Sequence, residues 1–387
     1  MYNILTLNKI SPAGLDNFDT DKYVCGTEVE NPDAIMVRSA KMHDMEFAAN
    51  TIAIARAGAG TNNVPVEKCA EQGIVVFNTP GANANAVKEL VLCGLLLSSR
   101  KVVPGIEFAT SLKGSGDEFS KLVEKGKSAF KGPEIMGKKL GVIGLGAIGV
   151  LVANAAKALG MEVYGYDPYL SVDAAWNLAS TIHHAKSLDE LWANCDYITV
   201  HVPLNDATRD TINAEAIAKM KDGVRIVNFS RGALVNTNDI IEALGNGKVA
   251  AYTTDFAEDA LIGVPGVIAM PHLGASTPES EDNCARMAAF ELIDYLENGN
   301  IKNSVNMPQA EMTRTAANRI CIIHKNVPNV LNTITANLNG ANISDMINRS
   351  KGDYAYTMLD TDVNISEEIL ETIKNMPEVI RVRYLAK

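Results

Sequence analysis

Leu140-Gly-Val-Ile-Gly144-Leu-Gly146-Ala-Ile-Gly149 is the stretch on which the fold turns. It joins an apolar run, Leu140 to Ile143, to a helical pattern from Ala147 to Leu159. Gly144 allows a tight turn, Gly146 lets backbone approach a pyrophosphate, and Gly149 lets the helix pack on the strand. The helix start offers amides and a positive dipole end to phosphates. A second apolar run, Val163 to Tyr166, delivers Asp167 eighteen residues after Gly149. A carboxylate there accepts adenosine ribose hydroxyls. Pro168 follows, with no Arg or Lys nearby for a 2′-phosphate, so NAD is favoured over NADP. A glycine turn that only packs helix on strand would not need an acid at that spacing.

Outward from this point, six strand candidates suit one doubly wound sheet: Leu140-Ile143, Glu162-Tyr166, Tyr197-Val202, Val224-Phe229, Val249-Thr253 and Val267-Met270. A long helical pattern from Pro278 to Leu296 stops at Asn298-Gly299. Upstream, β-branched runs at Ile4-Leu7, Ala34-Val37, Thr51-Ala55 and Ile74-Phe77 alternate with segments that can hold helices. That indicates parallel strands with crossovers. Downstream of the polar segment from Asn303 to Asn318, about 70 residues suit a β-α-β-β-α-β order, one sheet face covered by two helices. The expected fold class is α/β, with a small C-terminal α+β module.

Composition narrows the functional class. The 387 residues are 47% hydrophobic and 21% charged, which excludes disorder and collagen-like repeats. Against 46 acidic residues stand 35 basic ones, for a net charge of −11, so no nucleic-acid or membrane partner is expected. The start, Met1-Tyr-Asn-Ile-Leu5, lacks the basic and apolar regions of a signal peptide. Six scattered cysteines include no CxxC and no His at zinc spacing, so no metal is expected and the thiols read as reduced. The expectation is a soluble, cytoplasmic protein.

Two further sites lie at apparent strand ends, where open α/β sheets bind ligands. In Asn228-Phe-Ser-Arg231-Gly232 a strand presents an arginine, a planar fork for a carboxylate. In Pro271-His272-Leu-Gly274-Ala275-Ser-Thr277 a histidine stands between strand and helix, suited to proton exchange near pH 7. Alone, the first would be a surface ion pair and the second a packed histidine. Beside a dinucleotide motif they describe hydride transfer at an alcohol next to a carboxylate.

The ordered set of motifs resembles the D-isomer-specific 2-hydroxyacid dehydrogenases, and within them the branch acting on 3-phosphoglycerate. It comprises Arg56-Ala-Gly58-Ala59-Gly60, Asn78-Thr79-Pro80-Gly-Ala-Asn-Ala-Asn, Gly137-Lys-Lys-Leu-Gly, the glycine fingerprint, His201-Val202-Pro203-Leu, Asn228-Phe229-Ser230-Arg231-Gly232 and the His272 segment. The resemblance implies a flavodoxin-like substrate domain (1–97, resuming at 278–307) around an inserted Rossmann NAD domain (98–277). It places the catalytic arginine at Arg231 and the acid/base at His272. Cofactor contacts fall on Gly144, Gly146, Ala147, Ile148, Gly149, Asp167, Val202, Pro203, Thr208, Phe229, Ser230, Arg231, Asp255, His272, Gly274 and Ala275, with Asp255 holding the nicotinamide carboxamide. The substrate carboxylate falls on Arg231 and the Gly58-Ala59 backbone, within a set that includes Arg56 and Thr79. Arg38 would meet a phosphate; by itself it would be a solvated surface charge. The implied reaction is NAD-dependent oxidation of 3-phospho-D-glycerate to 3-phosphohydroxypyruvate, the first step of L-serine biosynthesis. Another 2-hydroxyacid such as glycerate or lactate, or a non-catalytic NAD(H)-sensing role, is the alternative. Members are dimers or tetramers, and a dimer through the NAD domains is implied.

Two departures stand out. The family usually has Asp-Val-Phe-x-x-Glu-Pro, its Glu pairing with the catalytic His, where this chain reads Asp255-Phe-Ala-Glu258-Asp259-Ala260. The partner of His272 is then Glu258 or Asp259, with Glu258 favoured on reach. The block 318–387 resembles an ACT domain through Ile323-His324-Lys-Asn326-Val-Pro328 and Gly340-Ala-Asn342-Ile343. That likeness implies an L-serine effector site using His324, Asn326 and Asn342. Asn329 stands where the family usually has Gly, and its side chain is expected to crowd such a site.

Overall fold

The computed structural model describes residues 1–338 and 340–386; residues 339 and 387 of the expected C-terminal block lie outside the described residues. Five strands open the chain: β1 (Tyr2–Leu7), β2 (Tyr23–Gly26), β3 (Ala34–Val37), β4 (Ala53–Arg56) and β5 (Val75–Asn78). All pair in parallel, in the order β2-β1-β3-β4-β5. Every residue of β3 is buried, as a parallel strand covered on both faces requires. The chain passes from β1 to β2 on one side and to β3 on the other, so strand order reverses between β1 and β3. Strand β2 was not expected, because Tyr23-Val-Cys-Gly carries no β-branched run and sits half-exposed at the sheet edge.

Seven strands follow: β6 (Lys139–Ile143), β7 (Glu162–Tyr166), β8 (His183–His184), β9 (Tyr197–Val200), β10 (Val224–Asn228), β11 (Val249–Thr254) and β12 (Val267–Ala269). Their order is β12-β11-β10-β9-β6-β7-β8, again all parallel, with the reversal between β6 and β9. Two-residue β8 adds a seventh strand to the six expected.

The chain divides into two compact units: residues 84–277 form one, and residues 1–83 together with the chain from Pro278 onward form the other. The helix Ala84–Ser99 differs from expectation, which placed it through residue 97 with the first segment. Its Val87, Val91 and Leu95 share a core with Leu140, Val142, Val227 and Phe229. Arg225 Nε also donates to the Ser98 carbonyl at 3.0 Å. This helix therefore belongs to the β6–β12 unit by packing.

The C-terminal strands are β13 (Asn318–Lys325), β14 (Ile343–Lys351), β15 (Tyr354–Thr361) and β16 (Val379–Ala386), antiparallel in the order β14-β15-β13-β16. With helices Val330–Asn337 and Glu367–Lys374 they make the β-α-β-β-α-β arrangement. Alternation along β13 splits its side chains. Ile320 and Ile322 face the two helices with Val330, Ile334 and Ile373. Cys321 and Ile323 turn the other way and share a core with Tyr295, Leu296 and Met307. The module is thus built into the first unit through its second sheet face. Among the described residues no helix is long and apolar enough to cross a membrane.

Candidate active site

Strand β6 gives way to Gly144, whose φ of +86° suits glycine, and a Cβ there would come within 2.7 Å of the His201 carbonyl oxygen. A Cβ at Gly149 would overlap the Gly144 carbonyl oxygen, so helix and turn touch backbone to backbone. Gly146 is different: nothing lies within 4 Å of where its Cβ would be, and no side chain caps the helix Ala147–Ala158 that it opens. Asp167 directly follows β7, and its carboxylate accepts the Leu145 N–H and the Tyr169 N–H, each at 2.8 Å. The acid is thereby fixed against the glycine turn. A pyrophosphate fits the open side of Gly146 beside Ala147 and Ile148, and ribose hydroxyls fit Asp167.

Arg231, Asp255 and His272 follow three adjacent strands, β10, β11 and β12. Asn228 shapes the arginine turn: its Oδ1 accepts the Ser230 N–H at 3.1 Å and its Nδ2 donates to the Arg231 carbonyl at 2.9 Å. The Ser230 hydroxyl donates to the Val202 carbonyl at 2.9 Å, tying this turn to the Val202-Pro203 segment after β9. The exposed Arg231 guanidinium donates to the Ser230 carbonyl at 2.6 Å. Asp255 is buried; its Oδ2 accepts the Gly274 N–H at 2.9 Å, and its Oδ1 has no protein partner. Burial pushes the Asp255 carboxyl up, against the Gly274 N–H and the positive charge His272 can carry. An unpaired acceptor at that strand end suits a carboxamide N–H.

His272 is exposed and lies with its ring centroid 4.8 Å from that of Phe256. The Glu258 carboxylate accepts the Thr237 hydroxyl at 2.8 Å, and its other oxygen faces Gly232. Among the described residues no ion pair joins His272 to Glu258 or Asp259. Thr208 is turned into its own loop, donating to the Pro203 carbonyl at 2.6 Å.

The other unit carries the remaining residues. Arg38 follows β3, and its carbonyl accepts Arg56 Nε at 3.1 Å. The Thr79 N–H donates to the Gly58 carbonyl at 3.1 Å, and Asn78 Nδ2 to the Ala59 carbonyl at 2.6 Å. A chain of bonds reaches this loop from Glu291: Asn303 Nδ2 donates to Glu291 Oε1 at 2.7 Å, and the Asn303 carbonyl accepts the Asn78 N–H at 3.3 Å.

In the C-terminal module His324 is buried, its ring nitrogens bonded to the Lys325 carbonyl and the Thr357 hydroxyl. The ring expected in an effector network is therefore already satisfied. Asn326 Nδ2 donates to the Gly352 carbonyl at 3.1 Å, and the Asn342 N–H to Asp362 at 3.2 Å. Asn329 takes the left-handed backbone, φ +69°, a conformation that favours glycine.

Sequence reasoning missed three residues that act here. Asn228, Glu291 and the half-buried His201, whose carbonyl crowds the Gly144 turn and whose imidazole burial holds down to about 3, bear on the turns above. Asn228 and His201 each lay inside a motif given above, so both were available as signals; Glu291, within a helical pattern, had none.

A glycine-cradled helix start, an acid beyond the second strand and an Arg–Asp–His edge define a dinucleotide-binding α/β protein. Residues 107–274 match the model of the D-isomer specific 2-hydroxyacid dehydrogenase NAD binding domain. D-3-phosphoglycerate dehydrogenase of Haemophilus influenzae is 32% identical over 361 residues, covering 88% of this chain and 83% of that one. Its namesake from Methanocaldococcus jannaschii is 37% identical over 290 residues, covering 73% of this chain and 53% of that one. The chain spans about half the length of several curated relatives it matches. A crystal structure of NAD-bound 3-phosphoglycerate dehydrogenase from Entamoeba histolytica superposes with a TM-score of 0.60 at 26% identity, covering 79% of this chain and 98% of that one. The chain belongs to the D-isomer-specific 2-hydroxyacid dehydrogenase family.

Proposed function

We propose that the protein oxidises 3-phospho-D-glycerate to 3-phosphohydroxypyruvate with NAD, opening L-serine biosynthesis. The observation that carries this reading is the placement of Arg231, Asp255 and His272 after adjacent strands of the sheet that bears the glycine cradle. Relatives named for this substrate support the choice of acid. NAD, when bound, supplies the hydride acceptor. Arg231 grips the substrate carboxylate and offsets charge on the reacting oxygen, and His272 takes the hydroxyl proton. Glu258 or Asp259 steadies the charged imidazole once ligand is in place. Arg38, Arg56, Gly58, Ala59 and Thr79 are assigned to substrate.

An NADH-formation assay with 3-phosphoglycerate, D-glycerate and D-lactate tests the reading. The expected result is turnover strongest with phosphoglycerate. D-glycerate as best substrate is the second reading, and the observation favouring it is that Arg38 already engages Glu281. No NADH with any acid would leave an NAD(H)-sensing protein.

The same reading extends to assembly and control. Val102, Val103, Ile106 and Phe119 are exposed on a segment whose helices bury none of their own residues, which supports a dimer through the NAD domains. Ile106→Glu should shift the species seen by light scattering toward monomer. The C-terminal module reads as an ACT domain, with Asn326 and Asn342 holding L-serine between two copies. Calorimetric titration with L-serine decides it, and no heat with an unchanged rate would refute it.

A further inference from the structure

In open parallel sheets, ligands bind beyond the carboxyl ends of the strands where strand order reverses. In the first unit that point lies between β1 and β3. The residues following these two strands meet there. Asn8, after β1, accepts the Ser39 and Ala40 N–H groups on its side-chain oxygen at 3.0 and 2.7 Å. Arg38, after β3, is the cation at this position.

That cation is engaged. Its Nη2 lies 2.6 Å from Glu281 Oε1, contributed by the first turn of the helix Pro278–Asn298. Glu279 shares that turn, and Asp282 accepts the Ser11 hydroxyl beside it. Both partners of the Arg38–Glu281 pair keep about two-fifths of their side-chain surface in solvent, 41% and 43%. An ion pair so exposed adds little to fold stability, and either partner can be exchanged for another. A phosphate carries more charge than a carboxylate and matches the guanidinium fork equally well, so it is the better partner.

We infer that Glu281 is a specificity-determining residue: its carboxylate occupies Arg38 in place of the substrate's phosphate and must be displaced when a phosphorylated ligand binds. The inference rests on the phosphoglycerate reading above and deepens it. Glu281 competes from within the chain at the phosphate end of the substrate, opposite its carboxylate. It sets how strongly phosphorylated acids are preferred, and takes no part in the proton or hydride movement.

The test compares the full chain with Glu281→Gln, Arg38→Gln and the double variant. It measures KM for 3-phosphoglycerate and D-glycerate at saturating NAD, and Kd for 3-phosphoglycerate by calorimetry on the NADH-loaded protein. Loss of a competitor at an exposed pair should lower KM and Kd for phosphoglycerate about two- to five-fold. D-glycerate, which brings no phosphate, should not share the gain. In the Arg38→Gln background the Glu281 substitution should have no effect, which separates the pair from a general charge effect. Turnover of phosphoglycerate with unchanged KM and Kd in Glu281→Gln would overturn the inference and leave the reaction standing. Tighter phosphoglycerate binding without turnover would overturn the reaction and leave the inference standing. Absence of both binding and turnover would overturn both.

Discussion

Arg319 grips Asp360 through two hydrogen bonds, Nε to Oδ1 at 2.6 Å and Nη2 to Oδ2 at 2.8 Å, and neither side chain reaches solvent. The third arm of the guanidinium donates to the Asn298 and Met312 carbonyls, while Asp360 also accepts the Thr315 N–H. The pair pins β13 and β15 to the end of the helix Pro278–Asn298. Removing one partner strands a buried charge, so Asp360→Asn or Arg319→Met should destabilise this unit by about 3–5 kcal/mol. Denaturant unfolding measures it. Burial alone would raise the Asp360 carboxyl, but Arg319 and Thr315 hold it below the usual carboxylate value. The pair's contribution is therefore intact above about pH 4 and lost as the pH falls through the folded value.

Glu291 behaves in the opposite sense. Burial pushes its carboxyl up to about 8, against the Asn303 amide and the Lys302 charge. It borders a cavity of about 790 Å³ that Arg286, Asp294, Lys302 and Glu311 also line. The folded protein binds this proton more tightly than the unfolded chain, so stability is full below about pH 4.3 and falls as the pH rises toward 8. Glu291→Gln keeps an oxygen for Asn303 and removes the slope. At pH near 8 the variant should be more stable than the native chain, by about 4 to 5 kcal/mol. Melting temperatures followed from about pH 5 to pH 9 check this; parallel curves for the two proteins would contradict it.

His272→Ala should lower kcat by about a hundred- to ten-thousand-fold, the usual worth of a positioned acid/base. NADH binding, followed by its fluorescence, should be largely kept. Near-native turnover would remove His272 from the reaction.

Asp167→Ala should weaken NAD by about ten- to a hundred-fold, the worth of hydrogen bonds to a charged acceptor. Discrimination against NADP should relax with it, because the carboxylate that opposes a 2′-phosphate is gone. Steady-state KM values for both cofactors measure the two effects. Unchanged values would mean that the Leu145 and Tyr169 amides exhaust this carboxylate.

Much of the site was legible because its signals are local. A strand, a glycine turn and a helix start lie within one stretch of chain, and Gly144 needs its positive φ whatever surrounds it. Asp167 falls at the end of the next strand by the length of one helix. Arg231 and His272 read as strand-end residues because parallel strands are apolar runs that stop abruptly. The assignment of Glu258 to His272 was made from reach along the chain. In the fold one oxygen of that carboxylate accepts the hydroxyl of Thr237, twenty-one residues away, a contact that reach along the chain does not show.

The sequence by itself determined the two parallel sheets, the dinucleotide cradle and the strand-end positions of Arg231, Asp255 and His272. Periodicity and turn chemistry act over a few residues and are written in order along the chain. Tertiary structure decided the rest. The helix Ala84–Ser99 has an apolar face that the sequence shows, yet only packing on Val227 and Phe229 assigns it to the β6–β12 unit. The β-α-β-β-α-β order announces one sheet face under two helices, but not that the other face of β13 rests on Tyr295 and Leu296. Glu281 and Arg38 are 243 residues apart and meet only because a returning helix starts beside the end of β3. An apolar stripe or a lone charge specifies that it needs a partner, and the choice of partner is a property of the folded chain, where distant segments become neighbours.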